Sequence, residues 1–360
     1  MTSFTYSKLK DFNVRLTVVG FLMRMKQVWR FFNSACSGIR IFISSFSLSI
    51  TAPKHTQAIN KIPRELPFNQ SIDSRWTARH RCRMPSVSAD QIASFEEDGY
   101  LIIPGLFDAE EAGILRAAAQ ADQSFQDHAY DLEDGEGGKA QLVLWNSAGE
   151  DLWGAIARSE RVVNAMEALL GDEVYHYHSK MSIKQPRTGG AWSWHQDYGY
   201  WYQNGCLFPD MASAFIAVDP NTRANGCLQV LKGSHKMGRI EHGRYGDQTG
   251  ADPERTDEAV KVLELVYVEL APGDTLFFHS NLLHRSDQNT SPDPRWSLIC
   301  CYNTKHNDPY KDSHHPRYAP LEKLPDTAIK EMGAKLFESQ TDFWDPAADE
   351  TTGAGEKAST

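Results

Sequence analysis

Within Trp192-Ser193-Trp194-His195-Gln196-Asp197-Tyr198, two residues carry donor atoms that metals bind, an imidazole and a carboxylate two positions apart. Side chains alternate along an extended strand, so His195 and Asp197 point to one side of a strand end. That brings a nitrogen and an oxygen ligand within reach of one cation. Taken alone the pair is weak, because His-x-Asp arises by chance and strand histidines often only pack. A third donor follows about 90 residues on, in Phe277-Phe278-His279-Ser280-Asn281-Leu282-Leu283-His284-Arg285-Ser286. His284 and His279 both qualify. Two histidines and one carboxylate on one face leave three open positions, the arrangement suited to non-haem Fe(II) oxygenases.

Such an iron needs an electron source to split dioxygen, and a 2-oxo acid chelating two open positions supplies it. The distal carboxylate of that acid then needs a cation. A bidentate arginine assisted by a hydroxyl fits best. Ser286 stands two residues after His284, and Arg295 eleven residues after it. These two fill the roles. Lys184, eleven residues before His195, lies on the strand feeding the ligand pair and offers a second positive contact. The rings of Trp192, Trp194, Tyr198, Tyr200, Trp201 and Tyr202 read mainly as core packing. One or two are left to line a dry substrate pocket or to hold a cationic group. His235 and His242 read as loop histidines without a metal.

The elements that must carry these groups fall into a helical first part and a stranded second part. Ser88-Ala89-Asp90-Gln91 opens a short helix that Gly99 closes, and 100–104 is a strand. Asp108 caps a second helix running through Ala119. The acidic, Gly-rich stretch 131–139 reads as a mobile loop. A helix over 160–170 stops at Gly171. From Val174 the pattern turns to strands. Over 174–184, alternation places Val174, His176, His178, Lys180, Ser182 and Lys184 on one face. Further strands are predicted over 213–218, 227–231, 263–270, 274–279 and 295–303, separated by turn signals such as Asn225-Gly226 and Ala271-Pro272-Gly273-Asp274. This predicts an all-β core with flanking helices, a double-stranded β-helix or jelly roll. The polar stretch 238–256 reads as a long surface loop over one end of the barrel.

Charge is uneven along the 360 residues. Residues 1–83 hold 14 Lys and Arg against 3 Asp and Glu, and the remainder holds 23 against 44, a net of −21. So acidic a domain argues against non-specific binding of nucleic acid or anionic membrane. The basic extension 1–83 has three readings: a start placed too far upstream, with Met84 the true start; an organelle transit peptide; or an interfacial membrane-binding helix. The domain itself is expected over 84–340, followed by a disordered tail over 341–360. Six cysteines lack any Cys-x-x-Cys spacing. They read as buried free thiols in a reducing compartment. The expected localisation is cytoplasmic, or mitochondrial if the extension is a transit peptide. Nothing in the sequence indicates the oligomeric state.

His-x-Asp, then His with Ser at +2 and Arg at +11, resembles the phytanoyl-CoA dioxygenase family of Fe(II)/2-oxoglutarate oxygenases. Ser179-Lys180-Met181-Ser182-Ile183-Lys184 ahead of Trp194-His195-Gln196-Asp197, with Trp201 six residues past the first histidine, is similar to the ectoine hydroxylase branch. Asn225-Gly226-Cys227-Leu228-Gln229-Val230-Leu231-Lys232-Gly233-Ser234-His235-Lys236 resembles the family's N-G-x-L-x-V-x-x-G-S-H-K segment. The resemblance spans roughly residues 90–305 and implies His195, Asp197 and His284 as iron ligands. The +2/+11 spacing thus favours His284 over His279. The resemblance also implies Arg295 and Ser286 on 2-oxoglutarate, and Lys184 at the position of a lysine that contacts the same co-substrate. A substrate-binding glutamine of the ectoine branch falls at His178, which argues against ectoine itself. His178 and Trp201 are therefore the expected substrate contacts. Family halogenases replace the carboxylate with a small residue, so Asp197 implies hydroxylation, with O2 consumed and succinate and CO2 released. The expected substrate is a small molecule, amino-acid-like or zwitterionic. Two other classes compete: a cupin-like isomerase or hydrolase using another divalent metal, and a catalytically silent binding relative. The first has no need of the Arg295/Ser286 anchor, and the intact ligand set argues against the second.

Overall fold

The computed structural model describes residues 87–134, 137–245, 247–334 and 342–343. The basic N-terminal extension with Met84 lies outside the described residues, as does the C-terminal tail apart from residues 342 and 343.

Helices begin where their caps are written. Ser88 caps α1 (Ala89–Asp98) in a capping box with Gln91, and Gly99 ends it at φ 82°, a left-handed conformation that favours glycine. Asp108 caps α2 (Ala109–Ala121) in a second capping box with Glu111. Two short helices, α3 (Gln123–His128) and α4 (Leu152–Ala157), form where none is predicted, each on an aspartate N-cap, Asp122 and Asp151. The predicted α5 (Glu160–Leu170) ends at Gly171.

With strands numbered along the chain, an antiparallel seven-stranded sheet has the order β1 (Tyr100–Ile103), β11 (Thr275–His279), β6 (Met211–Ala217), β13 (Arg295–Thr304), β4 (Val174–Lys184), β3 (Lys139–Trp145), β2 (Tyr130–Glu133). A four-stranded sheet has the order β10 (Leu265–Val268), β7 (Leu228–Leu231), β12 (His284–Ser286), β5 (Trp192–His195). Tyr177, Phe215 and Phe278 of the large sheet share one buried cluster with Leu228 and Val230 of the small one. The opposite side of the large sheet is covered by helices. There Leu115, Ile156, Val163 and Met166 pack with Val143, Met181 and Leu298. This is the predicted jelly roll with flanking helices. No helix among the described residues is long and apolar enough to cross a membrane. Cys206, Cys227, Cys300 and Cys301 are buried and free.

Four expectations need correction. The stretch 131–139 is not one loop, because its ends belong to β2 and β3, which extend the large sheet past β4. The stretch 238–256 holds a hairpin, β8 (His242–Tyr245) and β9 (Gln248–Ala251), and the start of α7 (Pro253–Val262). Buried Gln248 ties that hairpin to the chain around β5: its Oε1 accepts from Ser193 N at 3.0 Å and its Nε2 donates to Ala191 O at 2.8 Å. The strand expected over 263–270 is shorter, Leu265–Val268. Finally, β4 does not keep one alternation. Its pairing with β13 shifts between Cys301 and Tyr302, which face His178 and His176 and leave Tyr177 unmatched. A bulge of this kind changes which side chains face inward. Before it, Tyr175 and Tyr177 enter the cluster between the sheets, while Val174 joins Met181 and Ile183 under the helices. After it, His178, Lys180 and Ser182 face the interior.

Candidate metal centre

His195 and His284 are direct cross-strand partners in the β5–β12 ladder. Opposed residues of an antiparallel pair have β-carbons only about 5 Å apart. Their ring centroids accordingly lie 4.0 Å apart. Strand geometry ends at His195. Gln196 is still extended, and Asp197 is the first residue of α6 (Asp197–Trp201), so the carboxylate reaches the pair from a helix start. The two side chains do meet on one side, although only the first residue lies in a strand.

Asp197 Oδ1 stands 4.0 Å from His195 Nε2 and 3.9 Å from His284 Nε2. All three residues are buried, and their donor atoms lie within 4.8 Å of one another. The other ring nitrogens are already engaged: His195 Nδ1 bonds Ser193 O at 2.8 Å and His284 Nδ1 bonds Leu282 O at 2.9 Å. A backbone carbonyl can only accept, so each Nδ1 carries the hydrogen and each Nε2 keeps a free lone pair. Burial holds both imidazoles below their ordinary pKa, which keeps them in the neutral, ligating form. Asp197 Oδ2 accepts from Ser213 Oγ at 3.0 Å, whereas buried Oδ1 has no hydrogen-bond donor. Burial opposes ionisation of Asp197, but Lys180 and the two imidazoles outweigh it and hold the carboxyl below its usual range. A carboxylate oxygen that faces two free imidazole lone pairs, with the Lys180 ammonium at 3.6 Å as its ion-pair contact, is costly to bury, and a divalent cation removes that cost. The donor set fits the metal that its types imply.

Gln196, between the two ligands, is a buried staple. Its Nε2 donates to Gly238 O and Asn281 O, each at 2.8 Å, and its Oε1 accepts from Ile240 N at 2.7 Å. His242 completes the support by accepting from Gln196 N at 2.9 Å. Neither residue had a predicted role, since their partners lie about 40 to 85 positions away.

The triad opens into a cavity whose wall includes Arg295 and Ser286. Arg295 is buried at the first residue of β13. Its Nη1 donates to Gly226 O at 2.9 Å and its Nη2 to Ser182 Oγ at 3.1 Å, while Nε has no partner among the described residues. Burial lowers its pKa to about 10, which leaves it charged at neutral pH. Ser286 Oγ is also buried without a partner among the described residues. Two unsatisfied polar groups, one a cation, thus face one cavity. Such groups in a native fold call for a polar partner, and an anion in the cavity would supply it.

Lys184 is placed elsewhere. Its buried Nζ donates to Gly190 O at 2.7 Å and to Asp287 O, and it is not part of the cavity wall. Residues 188–190 fold back across the end of β4: Lys139 N bonds Thr188 O at 3.3 Å and Gly190 N bonds Lys139 O at 2.9 Å. That loop covers Lys184 before its side chain reaches the interior. The lysine on the wall is Lys180, four residues earlier, with Nζ 3.6 Å from Asp197 Oδ1. Burial works against its charge, but Asp197 more than offsets this and raises its pKa. His279 is also outside the wall. It packs near Phe95 and His235, and its Nδ1 accepts from Asn281 N at 3.0 Å.

His178 and Trp201 do line the cavity, with ring centroids 5.6 Å apart. His178 Nδ1 is buried without a partner. Burial, reinforced by His315 and Lys180, holds its pKa well below the ordinary value, so the ring is neutral. Among the other aromatics, Trp192 and Tyr200 reach the wall, Trp194 packs against Leu231 and Leu283, and Tyr202 is exposed. The sequence reading missed Tyr130, Leu132, Leu142 and Leu144 of β2 and β3, and His315. Lys139-Ala140-Gln141-Leu142-Val143-Leu144-Trp145 is an apolar run that reads as a strand once the acidic neighbours are set aside.

Gly226 ties the anchor to the backbone. It has φ 76°, and a β-carbon there would collide with the Asp287 carbonyl. Its own carbonyl accepts from Arg295. Gly226→Ala is expected to cost about 1–3 kcal/mol of stability and to displace Arg295. Thermal unfolding and a co-substrate titration check this. An unchanged melting temperature together with unchanged 2-oxo acid affinity would contradict it.

A family model described as "Phytanoyl-CoA dioxygenase (PhyH)" matches residues 95–297. The chain is 28% identical over 239 residues to an ectoine dioxygenase of Stutzerimonas stutzeri, covering 60% of this chain and 77% of the relative. It is 29% identical over 243 residues to an L-proline trans-4-hydroxylase of Streptomyces griseoviridis, covering 62% and 90%. EctD from S. alaskensis, crystallised with bound Fe, aligns with a TM-score of 0.57 at 26% identity, covering 68% of this chain and 89% of that one.

Proposed function

Because this chain belongs to the phytanoyl-CoA dioxygenase family, we propose that His195, Asp197 and His284 hold a ferrous ion and that Arg295 and Ser286 anchor 2-oxoglutarate beside it. The protein is an iron- and 2-oxoglutarate-dependent dioxygenase that hydroxylates a small organic substrate. The observation that carries the ligand assignment is the buried Asp197 Oδ1, without a hydrogen-bond donor among the described residues, between the two free Nε2 atoms.

A ferrous ion held by these residues would supply dioxygen activation and C–H oxidation, with 2-oxoglutarate converted to succinate and CO2. The chain's own residues do the rest. The carbonyls of Ser193 and Leu282 fix both histidine tautomers, and Ser213 orients Asp197 through Oδ2. Arg295 Nε and Ser286 Oγ offer hydrogen bonds to the distal carboxylate from a wall that is otherwise largely apolar, where such bonds are strong. Leu132, Leu142, Leu144 and Phe278 exclude water around the reacting C–H bond.

His178 and Trp201 contact the substrate in this reading, and the substrate is amino-acid-like or zwitterionic. The proline-hydroxylating relative supports that class. A net charge of −21 beyond residue 83 disfavours a coenzyme A diphosphate. Four buried free thiols support a reducing compartment such as the cytoplasm. The test is anaerobic titration of the wild type with Fe(II) and then 2-oxoglutarate. A weak visible charge-transfer band is expected, and its absence would sink the iron and co-substrate assignment.

A further inference from the structure

Resting on that reading of the site, we propose that Lys180 is the specificity-determining residue and that it binds a carboxylate group of the prime substrate. Lys180 stands on β4 between His178 and Ser182, two inward residues that point to the same side. Its side chain is 17% exposed, and its one ion pair among the described residues is the 3.6 Å approach to Asp197 Oδ1. That oxygen is the one facing both histidines. A cation held by the triad takes this oxygen and repels the ammonium, so Lys180 needs another anion.

The charges on the wall say which anion. Among the described residues lining the cavity, Asp197 is the only acid, and Arg295 and Lys180 are the only Lys or Arg. A ferrous ion balances Asp197 with one positive charge to spare. Arg295 and Lys180 add one each, and 2-oxoglutarate removes two. One positive charge is left over in a largely apolar chamber, where an uncompensated charge is costly. A substrate bearing one carboxylate neutralises it. A net cation would add to the excess, and no acidic side chain on the wall could hold its ammonium or guanidinium group. A zwitterion therefore binds with its carboxylate on Lys180. Its other end lies toward His178, whose neutral Nδ1 has no partner, and toward the face of Trp201. Arg295 is already bonded to Gly226 and Ser182, whereas Lys180 Nζ has no hydrogen-bonded carbonyl or hydroxyl among the described residues. The two cations thus divide between the two anions.

Propionate and propionamide, alike in shape and different in charge, probe this without knowledge of the natural substrate. Each is titrated into the wild-type protein loaded anaerobically with Fe(II) and saturating 2-oxoglutarate. Propionate should shift the charge-transfer band saturably without bleaching it, and propionamide should not. In Lys180→Met and Lys180→Gln, propionate binding should weaken about tenfold or more, the loss of one charge-assisted hydrogen bond. The band and the 2-oxoglutarate affinity should stay as in the wild type, and Lys180→Arg should keep propionate binding. Equal responses to propionate and propionamide in the wild type would overturn the proposal, whatever the variants do. Bleaching of the band by propionate would overturn it too, since the carboxylate would then be displacing the co-substrate. If the substitutions instead lowered 2-oxoglutarate affinity, Lys180 would belong to the co-substrate, with the iron reading intact. A wild type that forms no band would mark failure of the iron reading itself.

Discussion

His284→Ala is expected to abolish the visible Fe(II)/2-oxoglutarate band and hydroxylation, while His279→Ala leaves both in place. Either histidine could be the third ligand by distance from His195 along the chain; the spacing to Ser286 and Arg295 favours His284, and the ladder supports it. His284 is paired with His195 across β5 and β12, and its free Nε2 lies 3.9 Å from Asp197 Oδ1. His279 ends β11 on the neighbouring sheet, against Phe95 and His235. Altering groups that merely support a metal ligand lowers affinity by about 10–100-fold, so loss of a ligand should exceed that range. His279→Ala removes the acceptor for Asn281 N and should cost only about 1–3 kcal/mol of stability. Anaerobic titration of both variants, with thermal melts alongside, gives the comparison. Iron binding lost in His279→Ala and kept in His284→Ala would reverse the assignment.

Arg295→Ala is expected to raise the 2-oxoglutarate KM far more than the substrate KM. Truncating one partner of a buried, hydrogen-bonded charge pair costs about 2–5 kcal/mol, which corresponds to roughly 30-fold to several thousand-fold in affinity. The melting temperature should fall as well, because the guanidinium also holds Gly226 O and Ser182 Oγ. Arg295→Lys should not restore co-substrate affinity. A single ammonium cannot serve Gly226, Ser182 and a carboxylate in the directions of the guanidinium fork. The KM pair separates this role from a structural one, since a general loosening would weaken both ligands. An unchanged 2-oxoglutarate KM in Arg295→Ala would remove Arg295 from the co-substrate site.

Much of the site was legible because its chemistry is local. The residue types at 195, 197, 284, 286 and 295 name a metal class and an anion anchor, and the caps at Ser88, Asp108 and Gly171 announce helix ends through neighbours on the chain. Gln196 shows where this stops: it sits between two ligands, yet its hydrogen bonds run to Gly238, Ile240 and Asn281. The walls from β2 and β3 were hidden for a different reason. The acidic, Gly-rich residues between those strands dominate the local signal, and strand formation there depends on pairing with β4.

By itself, then, the sequence determined the residue types of the proposed triad and of its proposed anion anchor, the helix caps and an antiparallel jelly roll, since each follows from side-chain chemistry or a two-residue period. Tertiary structure alone decided three things. Cross-strand register set His284 opposite His195, and the bulge at Tyr177 turned His178, Lys180 and Ser182 inward. The loop over 188–190 sealed Lys184 under backbone carbonyls and left Lys180 as the cation beside the triad. The physical reason is common to all three. Period-2 alternation says which residues share a face, but register, bulges and overlying loops say what that face meets, and those depend on segments distant in the chain.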